Sequence, residues 1–277
     1  MRTAASALLV ILALLLATVA GPALWMQQNI VDSAGFTKLA GPLGSDASFQ
    51  EGLSTLVATQ GAASLDVPPQ LQALASTIIK GAVRSIYTEP GYEQAWTETL
   101  KHSHDLTFSA AGNADIKGDL KVDIAPLAAL VATKIGNDLG VSLPTPADVV
   151  VSVEQPKVAQ VLPLATTLGG WGIWLAGIAV VLAALGVVAA RRRSLTAILT
   201  GAGLAVVALV WLLGSSYLEK FLGCLVEGNQ AAQQIGVTLG TLARQSWQGG
   251  ITATFVIAGV VAVAGVGALV VGRRRTT

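Results

Sequence analysis

The chain has 277 residues, of which 53% are hydrophobic and only 12% charged, with a formal net charge of +1 and a mean hydropathy of +0.65. That balance excludes an ordinary water-soluble globule and gives no reason to expect nucleic acid as a partner. Cys224 is the only cysteine, so no intramolecular disulfide is possible and any exported part must be held together by packing.

The first apolar stretch, Ala4 to Met26, contains no charged residue and is close to the roughly 20 residues a helix needs to cross the hydrocarbon core. It has a rival reading as a cleaved signal peptide, because Arg2, the apolar run Leu8 to Leu16 and the small residues near Ala20, with Thr18, match that template. The continuation through Pro22 to Trp25 makes the stretch long enough to anchor. On either reading the segment that follows is exported.

Residues Gln27 to Leu168 then form a domain long enough to bury one core. Behind the capping candidate Asp46, the spacing predicts a helix over Ser48 to Thr59, with Phe49, Leu53, Leu56 and Val57 on one stripe. A second helix, Pro68 to Ile86, places Leu71, Leu74, Ile78, Ile79 and Val83 together. A third begins at Gly91, with Tyr92, Trp96 and Leu100 four apart.

After His104 the period changes to alternation. Leu106 and Phe108, a turn at Ala111-Gly112-Asn113, and then Ile116, Leu120, Val122 and Ile124 predict a β-hairpin whose other face carries Asp115, Lys117, Asp119, Lys121 and Asp123. Pro126 suits a first helical position and Gly140 a left-handed stop. Val149, Val151 and Val153 propose a further strand. The expected fold class is thus an α+β membrane protein: four transmembrane helices, with an extracytoplasmic helical bundle beside a small antiparallel sheet.

The remaining spans are Gly169 to Ala190, Leu195 to Tyr217 and Ile251 to Gly272. Between the last two, Leu218 to Gly250 repeats Leu225, Ile235, Leu239 and Leu242 at near-helical spacing, which predicts a helix docking one face on the outer domain. Gly223, Gly228, Gly236 and Gly240 weaken that expectation. None of the spans carries an ionisable residue, which argues against a pump, channel or ion-coupled carrier. Small residues recur four apart at Ala13, Ala17 and Gly21, at Gly172 and Ala176, and at Ala264 and Ala268, where helices can approach closely.

Orientation follows from arginine, because short loops rich in Lys and Arg stay in the cytoplasm. Arg2 precedes the first span, Arg191, Arg192 and Arg193 join the second to the third, and Arg273, Arg274 and Arg275 follow the fourth. Both termini are therefore expected inside, at a plasma membrane, with all sixteen acidic residues outside. Trp25, Trp171, Trp174, Trp211 and Trp247 fall at the expected outer ends, where indole prefers the headgroup level.

Chemistry is sparse. His102-Ser103-His104-Asp105 with Glu98 is the most reactive-looking run, but two histidines two apart point about 200° apart on a helix and do not make a closed metal site. Asp115, Asp119 and Asp123 lack the spacing of a calcium loop. No catalytic, cofactor or metal residues are expected. Trp96, His102, His104 and Phe108 are the candidate ligand or partner surface. The favoured function is a non-catalytic envelope protein whose outer domain binds another protein or scaffolds a membrane assembly. The alternative is a ligand- or lipid-binding sensor or transport accessory subunit, with a cavity lined by Trp96 and Phe108. An exported hydrolase would need His104 joined by a carboxylate and a nucleophile. Expected partners are membrane lipids and another membrane or envelope protein.

One N-terminal span, a helical outer segment, Trp96 followed by His104, the motif Leu120-Lys121-Val122-Asp123-Ile124-Ala125-Pro126-Leu127 and three spans with an Arg-rich turn together form an order of features. It resembles a family of uncharacterised actinobacterial integral membrane proteins. The resemblance implies a bacterial plasma-membrane location and an envelope-related role, and it transfers no catalytic or binding residue.

Overall fold

A computed structural model describes residues 2–64, 68–111, 119–140, 149–154, 156–217, 220 and 230–274. In chain order the elements are α1 (Arg2–Met26), a π-helical turn (Gln27–Val31), α2 (Ser33–Ala40), a 3-10 turn (Gly41–Ser45), α3 (Ala47–Ser64), α4 (Pro69–Ile86) and α5 (Tyr92–Ala111). There follow β1 (Asp119–Asp123), α6 (Ala125–Leu139), β2 (Val150–Glu154), α7 (Pro156–Ala189), α8 (Arg193–Ser215) and a 45-residue α9 (Gln230–Arg274). They divide into two compact units. One comprises Met1–Ile30, Leu164–Leu218 and Ala243–Thr277, the other Val31–Pro163 and Glu219–Leu242.

The α+β expectation is overturned, because the described residues are overwhelmingly helical. Leu106 and Phe108, expected in a strand, lie inside α5. The reason is visible in the sequence: the four-residue spacing of Tyr92, Trp96 and Leu100 continues through His104 to Phe108, and this helical stripe outweighs an alternation only three residues long. Gly112, Asn113, Asp115, Ile116 and Lys117 lie outside the described residues. The extended structure amounts to two five-residue strands, β1 and β2, paired antiparallel with Leu120 opposite Val153 and Val122 opposite Val151. So short an isolated ribbon is not a sheet layer, and its stability must come from the helix beside it.

Four helices are long and apolar enough to cross a membrane: Arg2–Val31, Gln160–Ala189, Arg193–Ser215 and Ile235–Val271. Lipid supplies no hydrophobic drive between such helices, so close backbone approach and hydrogen bonds decide their contacts. On α1, the Ser6 hydroxyl donates to the Gly186 carbonyl of α7 at 2.7 Å. Farther along the pair, a side chain at Gly172 would meet the Leu24 nitrogen at 2.8 Å. The Trp211 indole of α8 lies over Gly21 and donates to the Thr18 carbonyl at 3.0 Å. Helix α8 meets α9 where a side chain at Gly201 would come within 2.7 Å of the Ala258 carbonyl. Ala13 is buried, whereas Ala264 and Ala268 are exposed, and Gly265 takes their place beside Ser194 and Ile198.

The tryptophans divide into two kinds. Trp171 and Trp174 are 61% and 66% exposed, as headgroup anchors would be. Trp25, Trp211 and Trp247 interlock instead, with Trp247 5.2 Å from Trp25 and 6.1 Å from Trp211 between ring centroids. The Trp25 indole donates to the Ser246 hydroxyl at 2.7 Å.

In the second unit the core gathers around Trp96. Phe49, Ile86, Tyr92, Leu100 and Leu127 are buried with it, and Ile235, Leu239 and Leu242 of α9 pack against them. Asp46 caps α3 by accepting from the Phe49 amide at 2.8 Å. Pro126 occupies the first turn of α6, and Gly140 ends that helix at φ 70°. Helices α3 and α4 form a hairpin closed by small residues, since Ser54, Ala58 and Ala62 are all buried. At its surface Glu51 takes Lys80 at 2.7 Å and also pairs with Arg84.

Two predictions follow from this packing. Trp96→Ala should lower the unfolding free energy of the full chain by about 3–5 kcal/mol. Gly44→Ala should also destabilise it, because the new carbon would lie 2.5 Å from the Trp96 Cδ1 atom. Denaturant unfolding of the purified protein measures both, and a neutral Trp96→Ala would contradict this core. The second concerns acid. The Lys80 hydrogen bond, then that of Arg84, holds the Glu51 carboxyl below its usual range. Its contribution is therefore present at neutral pH and lost as pH falls through the lowered folded value. Glu51→Gln should melt slightly lower than wild type at pH 7, and the gap should close in acid.

Candidate functional site

Helix α5 carries all four residues of the expected surface, and the structure does not bring them together as one surface. Trp96 is interior. Its Nε1 donates to the Gly41 carbonyl at 3.1 Å, its ring lies 5.2 Å from Phe49, and Gly44 is pressed against it. The Gly44 carbonyl accepts from the Tyr92 hydroxyl at 3.0 Å and from Gln50 Nε2 at 2.7 Å. Trp96 thus fixes the 3-10 turn onto α5.

Burial pushes the Tyr92 phenol far above the ordinary tyrosine range, and it raises Tyr87 against an opposing hydrogen bond with Ser54. Both phenols stay protonated and keep donating at any physiological pH. Tyr87 donates to the Gln50 carbonyl at 2.9 Å and packs edge-on against Tyr92 at 5.1 Å.

His104 is 5% exposed and stacks on Phe108 at 4.2 Å, with Phe36 of α2 at 5.2 Å on a tilted plane. Its neighbour Asp105 lies 3.7 Å from Nδ1. A histidine enclosed by two phenylalanine rings is positioned for packing. The helical twist that buries His104 turns His102 outward, so the two imidazoles share no ligand position.

His102 is the most exposed member of the set, with 56% of its side chain open to solvent, whereas Phe108 is half-buried. Its Nδ1 lies 3.0 Å from Asp123 Oδ2. A carboxylate can only accept, so Nδ1 carries a proton and donates it to Asp123. Asp123 had been expected on a solvated strand face, but it is buried and uses both oxygens. Oδ1 accepts from the Ala125 amide at 2.9 Å and so holds the start of α6, while the Asp123 amide donates to Ser103 Oγ at 2.9 Å. Ser103 and Asp123 are the residues that sequence reasoning missed. The one local signal was an aspartate two residues ahead of a proline-marked helix start.

Among the described residues, no group of three or more His, Cys, Asp or Glu side chains is placed to hold a metal ion. Ser103 is adjacent in sequence to His102 and receives a backbone amide, so it is not aimed at the imidazole as a nucleophile would be. What the arrangement offers chemically is an oriented imidazole on a charged helical face that also presents Glu98, Lys101 and Asp105. No protein-family model, curated protein or solved structure matches the chain.

The two partners of this pair should respond unequally to mutation. Asp123→Ala removes a helix-start acceptor and a buried carboxylate and should cost about 1–3 kcal/mol. His102→Ala gives up a half-exposed contact and should cost less than about 1 kcal/mol. Chemical denaturation of the full chain distinguishes them, with faster hydrogen exchange at the Ala125 amide in the Asp123 variant alone. Equal losses would contradict the capping role.

Proposed function

We propose that this chain is a non-catalytic, multi-pass membrane protein of a bacterial envelope, whose extracytoplasmic helical domain binds another envelope or membrane protein. The observation that carries the reading is His102. Its partner Asp123 holds the imidazole in one orientation on the exposed, charged face of α5. A side chain ordered before contact loses less freedom when a partner arrives. The other three candidate residues are used by packing, which favours a domain that presents a surface over one that encloses a ligand.

The orientation supporting this reading comes from charge. Arg2, Arg191, Arg192, Arg193, Arg273, Arg274 and Arg275 would lie in the cytoplasm with both termini, and the acidic domain outside. Helix α1 acts in this reading as a retained anchor. Its Ser6 and Thr18 hydrogen bonds to α7 and α8, and its buried Ala13, Ala20 and Ala23, make it a working member of the bundle. The resemblance to the actinobacterial membrane family points toward the same envelope setting.

Photoreactive residues at Glu98 and Lys101 test the proposal in intact cells, with Thr133 on the exposed side of α6 as control. The account predicts an adduct of one defined mass from the two α5 positions, weakened by His102→Ala and missing from Thr133. Identical adducts from all three positions, or a stoichiometric small molecule as the only recovered ligand, would overturn it.

A further inference from the structure

Helix α4 breaks the pattern that its sequence predicts. Of the stripe Leu71, Leu74, Ile78, Ile79 and Val83, the last two are half-buried, but Leu71, Leu74 and Ile78 are 49%, 58% and 63% exposed. At 100° per residue these three fall within a narrow band beside the face that Ile86 buries in the core. The second unit therefore carries a row of branched apolar side chains open to its surroundings.

The chemistry around the row says what covers it. Between Glu51 and Lys80 the sequence contains a single charged residue, Asp66. The exposed polar residues of the first turns of α4, Gln70, Gln72 and Thr77, are all neutral. Lys80 and Arg84, the only ions on the helix, are both engaged by Glu51. A polar face of this kind does not discriminate by charge. With its only charges already paired, the helix has burial of the apolar row as its drive for contact, which a lipid interface supplies without a charge match.

Size decides against a second protein molecule. A stable protein interface buries roughly 800 Å² on each partner, and three side chains fall well short of that. Lipid contact needs far less intrinsic affinity, because the same chain carries helices that fix it in a bilayer and so makes the encounter intramolecular.

We propose that the Leu71, Leu74 and Ile78 row of α4 is a lipid-contacting surface that inserts into the headgroup layer of a membrane. This rests on the chain residing in a bilayer and is independent of the partner proposed for α5.

The test uses the full chain with Cys224→Ser, reconstituted in vesicles of zwitterionic lipid. An environment-sensitive fluorophore is attached through Ile78→Cys, or through Gln72→Cys as a control on the same helix. The expected result is blue-shifted emission at position 78 and at least about twofold greater quenching by nitroxide-bearing lipid than at position 72. Adding anionic lipid should change little. The paired variant Leu71→Ser with Leu74→Ser should return the position 78 emission toward that of water while circular dichroism stays unchanged. Solvent-like emission at both positions would overturn the proposal. So would a shielded position 78 that lipid quenchers do not reach, with disulfide-linked dimers formed by the unlabelled Ile78→Cys protein, because a second copy would then cover the row.

Discussion

A helix in hydrocarbon must satisfy its backbone internally and can leave no unpaired charge there, and the first unit is organised by that constraint. Each of the four long helices has an apolar stretch without an ionisable residue. Apolar side chains are then no reason for one helix to prefer another over lipid, so specificity passes to small residues and a few hydrogen bonds. Gly172 and Gly201 bring backbones into contact, and Ser6 and Trp211 donate across the gap to carbonyls of neighbouring helices.

The second unit uses the opposite solution, a buried apolar core. Trp96 organises a conventional buried core, with Gly44 allowing the 3-10 turn to lie against its ring and Tyr92 securing that turn through a carbonyl. Helix α9 serves both regimes along its length. Its Ile235, Leu239 and Leu242 belong to the Trp96 core, whereas Ile251 and Ala258 are buried in the membrane-type unit. Gly236 and Gly240 do not interrupt it, because both are buried and tertiary packing outweighs the propensity cost of glycine.

Legibility followed the range of the signal. Charge-free runs of about twenty residues announce membrane-length helices without any long-range information. Asp46, Pro126 and Gly140 were equally local, since capping and helix-stop chemistry depend on neighbours within one turn. The hairpin expected from Leu106 and Phe108 failed because two periods competed over a short window, and the longer helical run from Tyr92 to Phe108 prevailed. Asp123 could not be read correctly from its strand alone, because its partners His102 and Ser103 lie twenty residues upstream. The tryptophans were legible as a group but not one by one: Trp171 and Trp174 face outward while Trp25, Trp211 and Trp247 join helices. No local pattern separates an anchoring indole from an interlocking one.

The central claim is that an acidic helical domain is carried outside on spans whose arginine-rich turn lies inside. Single cysteines at Ser194, beside that turn, and at Thr133, on α6, in a Cys224→Ser background and probed with a membrane-impermeant maleimide, address it most directly. The account predicts labelling of Thr133→Cys in intact cells and of Ser194→Cys only after permeabilisation. Labelling of Ser194→Cys in intact cells, with Thr133→Cys protected, would invert the protein in its membrane and contradict the account.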